Sequence, residues 1–257
     1  MKDYKEKLTA YYNKFSEEKR LTRRHGLVEY LIAQNYIHKY LKADSRILDV
    51  GAGTGRYAIA LKKEGYDVTA VELTRPNIAI MKQKDPNLRV VEADGRSMPM
   101  LMDKQYDLII LFGPLYHLQG QQDKIAALNE AIRVLKDDGV ILISYIMNEY
   151  AVIYHGFIEN KFKECQDLFE DDYKIKEGGN ELYSYMRLEE IDELNEICHL
   201  ERLEIIAADG PADYLRPILN RMDEETFKGF IDYHLKTCRR PELLGASSHV
   251  IDIVKKS

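Results

Sequence analysis

The chain has 257 residues, a formal net charge of −6, and Asp, Glu, Lys or Arg at 31% of its positions. That length suits one α/β domain with insertions, the acidic balance speaks against duplex nucleic acid as a partner, and no apolar run is long enough to span a bilayer. Three cysteines (Cys165, Cys198, Cys238), odd in number and far apart, read as reduced thiols rather than a disulfide frame or a zinc site. With no apolar stretch after Met1-Lys2-Asp3-Tyr4 to make a secretory signal, the expected setting is the cytoplasm, with no metal.

Residues 1–45 read as helical. Leu27, Leu31, Ile32, Tyr36, Ile37 and Leu41 form an apolar stripe, with Tyr11 and Tyr12 upstream. Lys14, Lys19, Arg20, Arg23, Arg24 and His25 make a small basic cluster that reads first as a solvated face.

Next comes Arg46-Ile-Leu-Asp-Val-Gly-Ala-Gly-Thr-Gly-Arg-Tyr57. An apolar strand (Ile47, Leu48, Val50) enters a turn carrying Gly51, Gly53 and Gly55, and a helix begins at Tyr57. Glycines at such a turn let a ligand approach the backbone, and the helix start offers N–H groups to it. The dinucleotide fingerprint Gly-x-Gly-x-x-Gly fails here, because its third glycine falls at Arg56 or, one step on, at Ala58. Asp67 to Glu72 is a second strand that ends on a carboxylate, followed by Leu73. Glu72 stands about twenty residues past the glycine turn, the interval at which an acid meets a ribose hydroxyl. A third strand, Leu88 to Ala93, runs into Asp94-Gly95. The fully apolar run Leu108 to Phe112 is a central strand that Gly113-Pro114 stops, with Leu115, Tyr116 and His117 after it.

A helix over Ala126 to Asp138, terminated by Gly139, precedes a buried strand from Val140 to Ile146. Residues 148–187 read as an inserted helical cap rich in aromatics (Tyr150, Tyr154, Phe157, Phe162, Phe169, Tyr173), closing with a strand from Leu182 to Met186. A helix over Glu189 to Cys198, a sixth strand over Leu203 to Ala207, a helix from Tyr214 to Lys236 and an edge strand from His249 complete the chain.

Asp49 two residues before a Gly-x-Gly-x-Gly turn, acids at two successive strand ends, and Arg133-Val-Leu-Lys-Asp-Asp-Gly139 before an apolar strand together resemble the class I S-adenosylmethionine-dependent methyltransferases, strongly over residues 46–147. The resemblance implies a seven-stranded, Rossmann-like α/β sheet, mostly parallel with an antiparallel last strand, helices on both faces and a helical cap. One domain over 1–257 would comprise an N-terminal lid (1–45), a cofactor-binding core (46–147), the cap (148–187) and a C-terminal part (188–257) with a helical insertion at 209–247. It implies that S-adenosyl-L-methionine is held by Asp49, Gly51, Ala52, Gly53, Gly55, Tyr57, Glu72 (ribose), Leu73, Asp94 (adenine amino group), Gly95, Leu111 and Gly113. Tyr11, Tyr12 and Arg24 would help to close the site. Tyr116 and His117 would face the methyl acceptor; His117 is the candidate general base if the acceptor must lose a proton, with Tyr150 a weaker one. The expected acceptor is a small molecule. An RNA or protein acceptor, an NAD-type oxidoreductase, and a binding protein that keeps the pocket without catalysis stand as alternatives. Membrane partners are not expected, and the oligomeric state is unreadable.

Overall fold

The computed structural model describes residues 23–179 and 182–257. Tyr11 and Tyr12 lie outside them. Helix α1 (Arg24–Tyr40) precedes β1 (Arg46–Val50), α2 (Arg56–Lys63), β2 (Asp67–Glu72), α3 (Arg75–Lys84), β3 (Arg89–Glu92), β4 (Tyr106–Leu111), the single turn α4 (Pro114–His117), α5 (Gln121–Val134) and β5 (Leu135–Met147). The cap follows as α6 (Asn148–Ala151), a π-helical stretch (Val152–Ile158) and α7 (Phe162–Cys165). The two-residue β6 (Tyr185–Met186), α8 (Leu188–Ile197), β7 (Leu200–Ala207), α9 (Arg216–Leu219), α10 (Glu224–Thr237) and β8 (His249–Lys256) come last.

The strands form one sheet in the order β3-β2-β1-β4-β5-β8-β7, with β6 attached to the end of β5. β1 to β6 are parallel, while β8 runs antiparallel to both β5 and β7. This is the expected sheet with one short strand added. Period-two alternation explains its two covered faces. Leu48, Val50, Ile109, Leu111, Ile141 and Ile143 pack on one side with Ala127 and Leu128 of α5 and Ile191 of α8. Ile47, Val68, Ala70, Leu108, Ile110 and Leu142 pack on the other with Val28 and Ile32 of α1, Leu61 of α2 and Phe227 of α10. Among the described residues no helix is long and apolar enough to cross a membrane.

Four local readings need correction. β8 is not an edge strand: it lies between β5 and β7, and Val250 to Val254 are all buried. The helix before β5 ends at Val134, not at Gly139. Gly139 instead sits within β5 inside the register shift against β4, where an added β-carbon would lie 3.0 Å from the Asp107 carbonyl oxygen. The helix from Tyr214 to Lys236 is two helices, because Asp223 caps a new start by accepting the Thr226 amide at 2.9 Å. The strand from Leu182 shrinks to Tyr185–Met186.

In the cap, the aromatic rings largely pack on one another. Phe157 stacks on Phe162 at 4.8 Å between ring centres, and Phe169 and Tyr173 flank Phe162 at 6.0 and 6.2 Å. Asn148 ties the cap to the end of β5, accepting the Ile175 amide and donating to the Tyr173 carbonyl.

Candidate functional site

Strand order reverses between β1 and β4, so the crevice at their C-terminal ends is where an open α/β sheet holds a ligand. The glycine turn and Gly113 meet there. Gly51 has φ +74° and lies so close to Pro114 that an added β-carbon would sit 2.6 Å from the ring. The Gly51 and Ala52 amides both donate to the Val71 carbonyl, at 2.8 and 3.0 Å. This pins the turn against β2. An added β-carbon at Gly53 would meet nothing within 4 Å, so the middle of the turn leaves room for a ligand. Gly55 then starts α2.

Two buried carboxylates shape the turn. Asp49, at the inner end of β1, accepts the Ala58 amide at 3.2 Å across the start of α2. Burial pushes its pKa up to about 7, against the pull of that amide, and the nearby Glu72 charge raises it further. Glu72 ends β2 with both oxygens engaged. One accepts the Gly53 amide at 2.9 Å; the other accepts the Thr74 amide at 2.8 Å and the Thr74 hydroxyl at 2.7 Å. Leu73 follows at the same strand end, half-buried. The sequence-predicted residues Asp49, Gly51, Ala52, Gly53, Gly55, Glu72 and Leu73 therefore lie together in one cluster.

Asp94, one turn past β3, is differently occupied. Its carboxylate takes Arg96 through three bonds of 2.7 to 3.0 Å, and Arg96 also reaches Asp123. Gly95 packs beside it, a β-carbon there falling 3.1 Å from Val50. Leu111 is fully buried at the end of β4. An aromatic wall stands over α2. Tyr57 lies 5.3 Å from Phe112 edge-on and 5.3 Å from Tyr30 of α1, and the Arg56 guanidinium sits 4.1 Å from the Tyr30 ring. Arg24 lies over the Phe227 ring at 5.6 Å, at the junction of α1 and α10.

Past Gly113, Tyr116 and His117 occupy α4 with their rings 4.9 Å apart. A β-carbon on Gly113 would lie 3.6 Å from the Tyr116 hydroxyl and 3.6 Å from the Gly51 carbonyl, so Tyr116 reaches the floor of the crevice. His117 is buried, and its Nδ1 is 2.8 Å from the Leu182 carbonyl oxygen, which can only accept. His117 thereby fastens the end of the cap segment to α4. Tyr150 donates to Asp213 at 2.8 Å, and burial together with that carboxylate pushes its phenol well above the ordinary tyrosine range, which suits a donor and not a base.

One group of residues carried no motif. His249, at the start of β8, pairs in register with Ile146 at the C-terminal end of β5. Its Nδ1 lies 3.0 Å from Asp209 Oδ2 and 3.8 Å from Glu29 Oε2. These three side chains are the set, among the described residues, whose ligand atoms converge closely enough to hold a cation. They come from positions 29, 209 and 249, and only the folded sheet brings them together. Residues that signalled function by spacing lay within one βαβα run; these do not.

Comparison with known proteins follows this division of the chain. Residues 48–143 match the family described as Methyltransferase domain. A glycine/sarcosine N-methyltransferase of Aphanothece halophytica is 27% identical over 146 residues, 54% of this chain and 55% of that protein. A ubiquinone biosynthesis O-methyltransferase of Rickettsia bellii is 30% identical over 139 residues, 51% of this chain and 57% of that protein. The chain thus spans little more than half the length of these curated relatives. Among solved structures, the CcbJ methyltransferase from Streptomyces caelestis superposes with a TM-score of 0.62 at 16% identity, covering 99% of this chain and 98% of that one, a likeness of fold.

Proposed function

We propose that the chain, whose residues 48–143 match the family described as Methyltransferase domain, is a class I S-adenosylmethionine-dependent methyltransferase that binds S-adenosylmethionine in the β1–β4 crevice and methylates a small molecule. The observation that carries the reading is the closure of the glycine turn by Glu72, whose carboxylate accepts the Gly53 amide at 2.9 Å at the end of β2. A diol needs such an acceptor-only group, and the cleared space over Gly53 admits it.

When bound, S-adenosylmethionine supplies a methyl group already activated by a sulfonium. The task left to the chain is positioning and the exclusion of water. The glycine turn, Leu73 and Leu111 would hold the donor half, and Asp49 would fix the start of α2 beneath it through the Ala58 amide. Asp94 can join the adenine contact through lone pairs beyond those Arg96 takes. Tyr116, at the crevice floor, would separate donor from acceptor, and His117 would keep the cap segment in place over the acceptor. Both relatives named above carry small-molecule names, which favours a metabolite here over RNA or protein, as does the acidic net charge. Cysteines without disulfides fit a cytoplasmic setting.

Isothermal titration with S-adenosylmethionine, S-adenosylhomocysteine and NADH tests the donor, with binding expected for the first two alone. Transfer of a radiolabelled methyl group into a filtered bacterial metabolite extract tests the acceptor. Label recovered only in RNA or protein from an unfiltered extract would exclude the small-molecule reading.

A further inference from the structure

Resting on the methyl-transfer reading above, we propose that His249, oriented by Asp209, is the general base for the acceptor, and that the acceptor is a hydroxyl or amine that loses a proton as it is methylated. The place is right by topology. β8 runs antiparallel to β5, so its first residue lies at the C-terminal edge of the sheet, the edge that carries the glycine turn and Gly113. The His249 ring is 5.9 Å from that of Tyr116, whose hydroxyl reaches Gly113.

The chemistry is right by construction. Asp209 is buried and its Oδ1 is already held by the Ser247 hydroxyl at 2.7 Å and the His249 amide at 2.8 Å. This leaves Oδ2 facing His249 Nδ1 at 3.0 Å. An ionised carboxylate only accepts, so Nδ1 carries the proton of the neutral ring and Nε2 carries the basic lone pair. Glu29 of α1 adds a second carboxylate on the Nδ1 side. Nucleophile–base–orienter geometry of this kind recurs across unrelated enzymes. His117 differs in what its Nδ1 meets, the neutral Leu182 carbonyl at 2.8 Å.

In the step itself, the acceptor O–H or N–H bond breaks and its proton goes to Nε2. The released electron pair forms the new bond to the methyl carbon, and the C–S bond pair leaves on sulfur. The positive charge of the sulfonium is replaced by that of the imidazolium, which faces Asp209 and Glu29 and later loses its proton to solvent. Among the described residues, Glu29 from α1, Asp209 from the segment after β7 and Tyr116 from α4 face His249. Tyr150, Tyr214 and His234 feel Asp209 behind it.

Two experiments test this. Nitrogen NMR of histidine-labelled protein saturated with S-adenosylhomocysteine is expected to show the neutral His249 ring protonated at Nδ1, with that signal moving in Asp209→Asn. A ring protonated at Nε2 would overturn the proposal whatever the acceptor. Second, methyl transfer to the filtered extract is expected to fall by about a hundredfold or more in His249→Ala and His249→Gln and about tenfold or more in Asp209→Asn. The acid limb of the pH–kcat/KM profile should go with it, while S-adenosylhomocysteine affinity stays within about twofold as a check on folding. Full transfer by both His249 variants, or transfer abolished by a chelator and restored by a divalent cation, would overturn it. Failure of the wild-type protein to bind S-adenosylhomocysteine would instead remove the methyltransferase reading.

Discussion

The Glu72 carboxylate accepts the Gly53 amide at 2.9 Å and the Thr74 amide at 2.8 Å, one on each oxygen. Both sides of this group therefore require an acceptor. In Glu72→Gln the side-chain amide must point its own N–H at one of those donors, whichever way it flips. A buried donor left facing a donor costs about 1–3 kcal/mol. We expect S-adenosylmethionine affinity to drop at least about tenfold on titration calorimetry, with a lowered melting temperature. Wild-type affinity in Glu72→Gln would remove Glu72 from the donor site.

Gly51 tests the geometry of the turn rather than its charge. With φ at +74° and the Pro114 ring 2.6 Å from a notional β-carbon, alanine is both strained and crowded. Gly51→Ala is expected to lose about 1–3 kcal/mol in urea unfolding. An alanine at Gly229 of α10, where a β-carbon meets nothing within 4 Å, should gain stability or leave it unchanged. Equal responses at the two positions would contradict the packing described.

Asp49 predicts a pH effect of definite sign. Its pKa is raised from 3.8 to about 7 by burial, so the folded chain holds this proton more tightly than the unfolded chain. The stabilisation from this group is fully present below the lower value and is lost as pH rises through the upper one. Asp49→Asn keeps the acceptor for the Ala58 amide and removes the titration. The melting temperature of the variant should therefore decline less than that of the wild type between about pH 5 and about pH 8. Parallel curves in differential scanning fluorimetry would refute the shift.

Asp252 lies fully buried in β8, where burial raises its pKa and Arg202 lowers it through bonds of 2.6 and 3.0 Å; Asn195 adds a third at 2.7 Å. Arg202→Met strips the charge partner and is expected to cost about 3–5 kcal/mol in chemical unfolding. Adding Asp252→Asn should restore part of that loss, since the orphaned charge is gone. No recovery in the double variant would mean that packing, not charge, dominates there.

These tests fall unevenly on what the sequence discloses. The glycine crevice was legible because it is local: a strand, a turn and a helix in consecutive residues put Asp49, Gly51 and Gly55 together, and Glu72 follows at the next strand end. Ile47 and Leu48, read only as an apolar run, face opposite sides of the sheet. The cluster around His249 was not legible. Glu29, Asp209 and His249 meet only through long-range pairing, and an Asp-Gly-Pro segment reads as a turn. Val250 to Val254 are buried on both faces because β7 lies beyond them, which no period within β8 reveals. Gly139 was misread for a related reason: a helix stop and a crowded bulge both ask for glycine, and only the neighbouring Asp107 carbonyl decides between them.

The insertion of β8 between β5 and β7 bears on how the protein comes together in time. β1 pairs with β2, and β2 with β3, through single helical crossovers, whereas Ile143 finds Asp252 only after the whole intervening cap and C-terminal helices have been spanned. Such distant pairing is slow to form. The glycine crevice can thus condense early, while His249 takes its position only when the last strand is threaded home. The crevice and the position of His249 thus rest on pairings of very different reach along the chain.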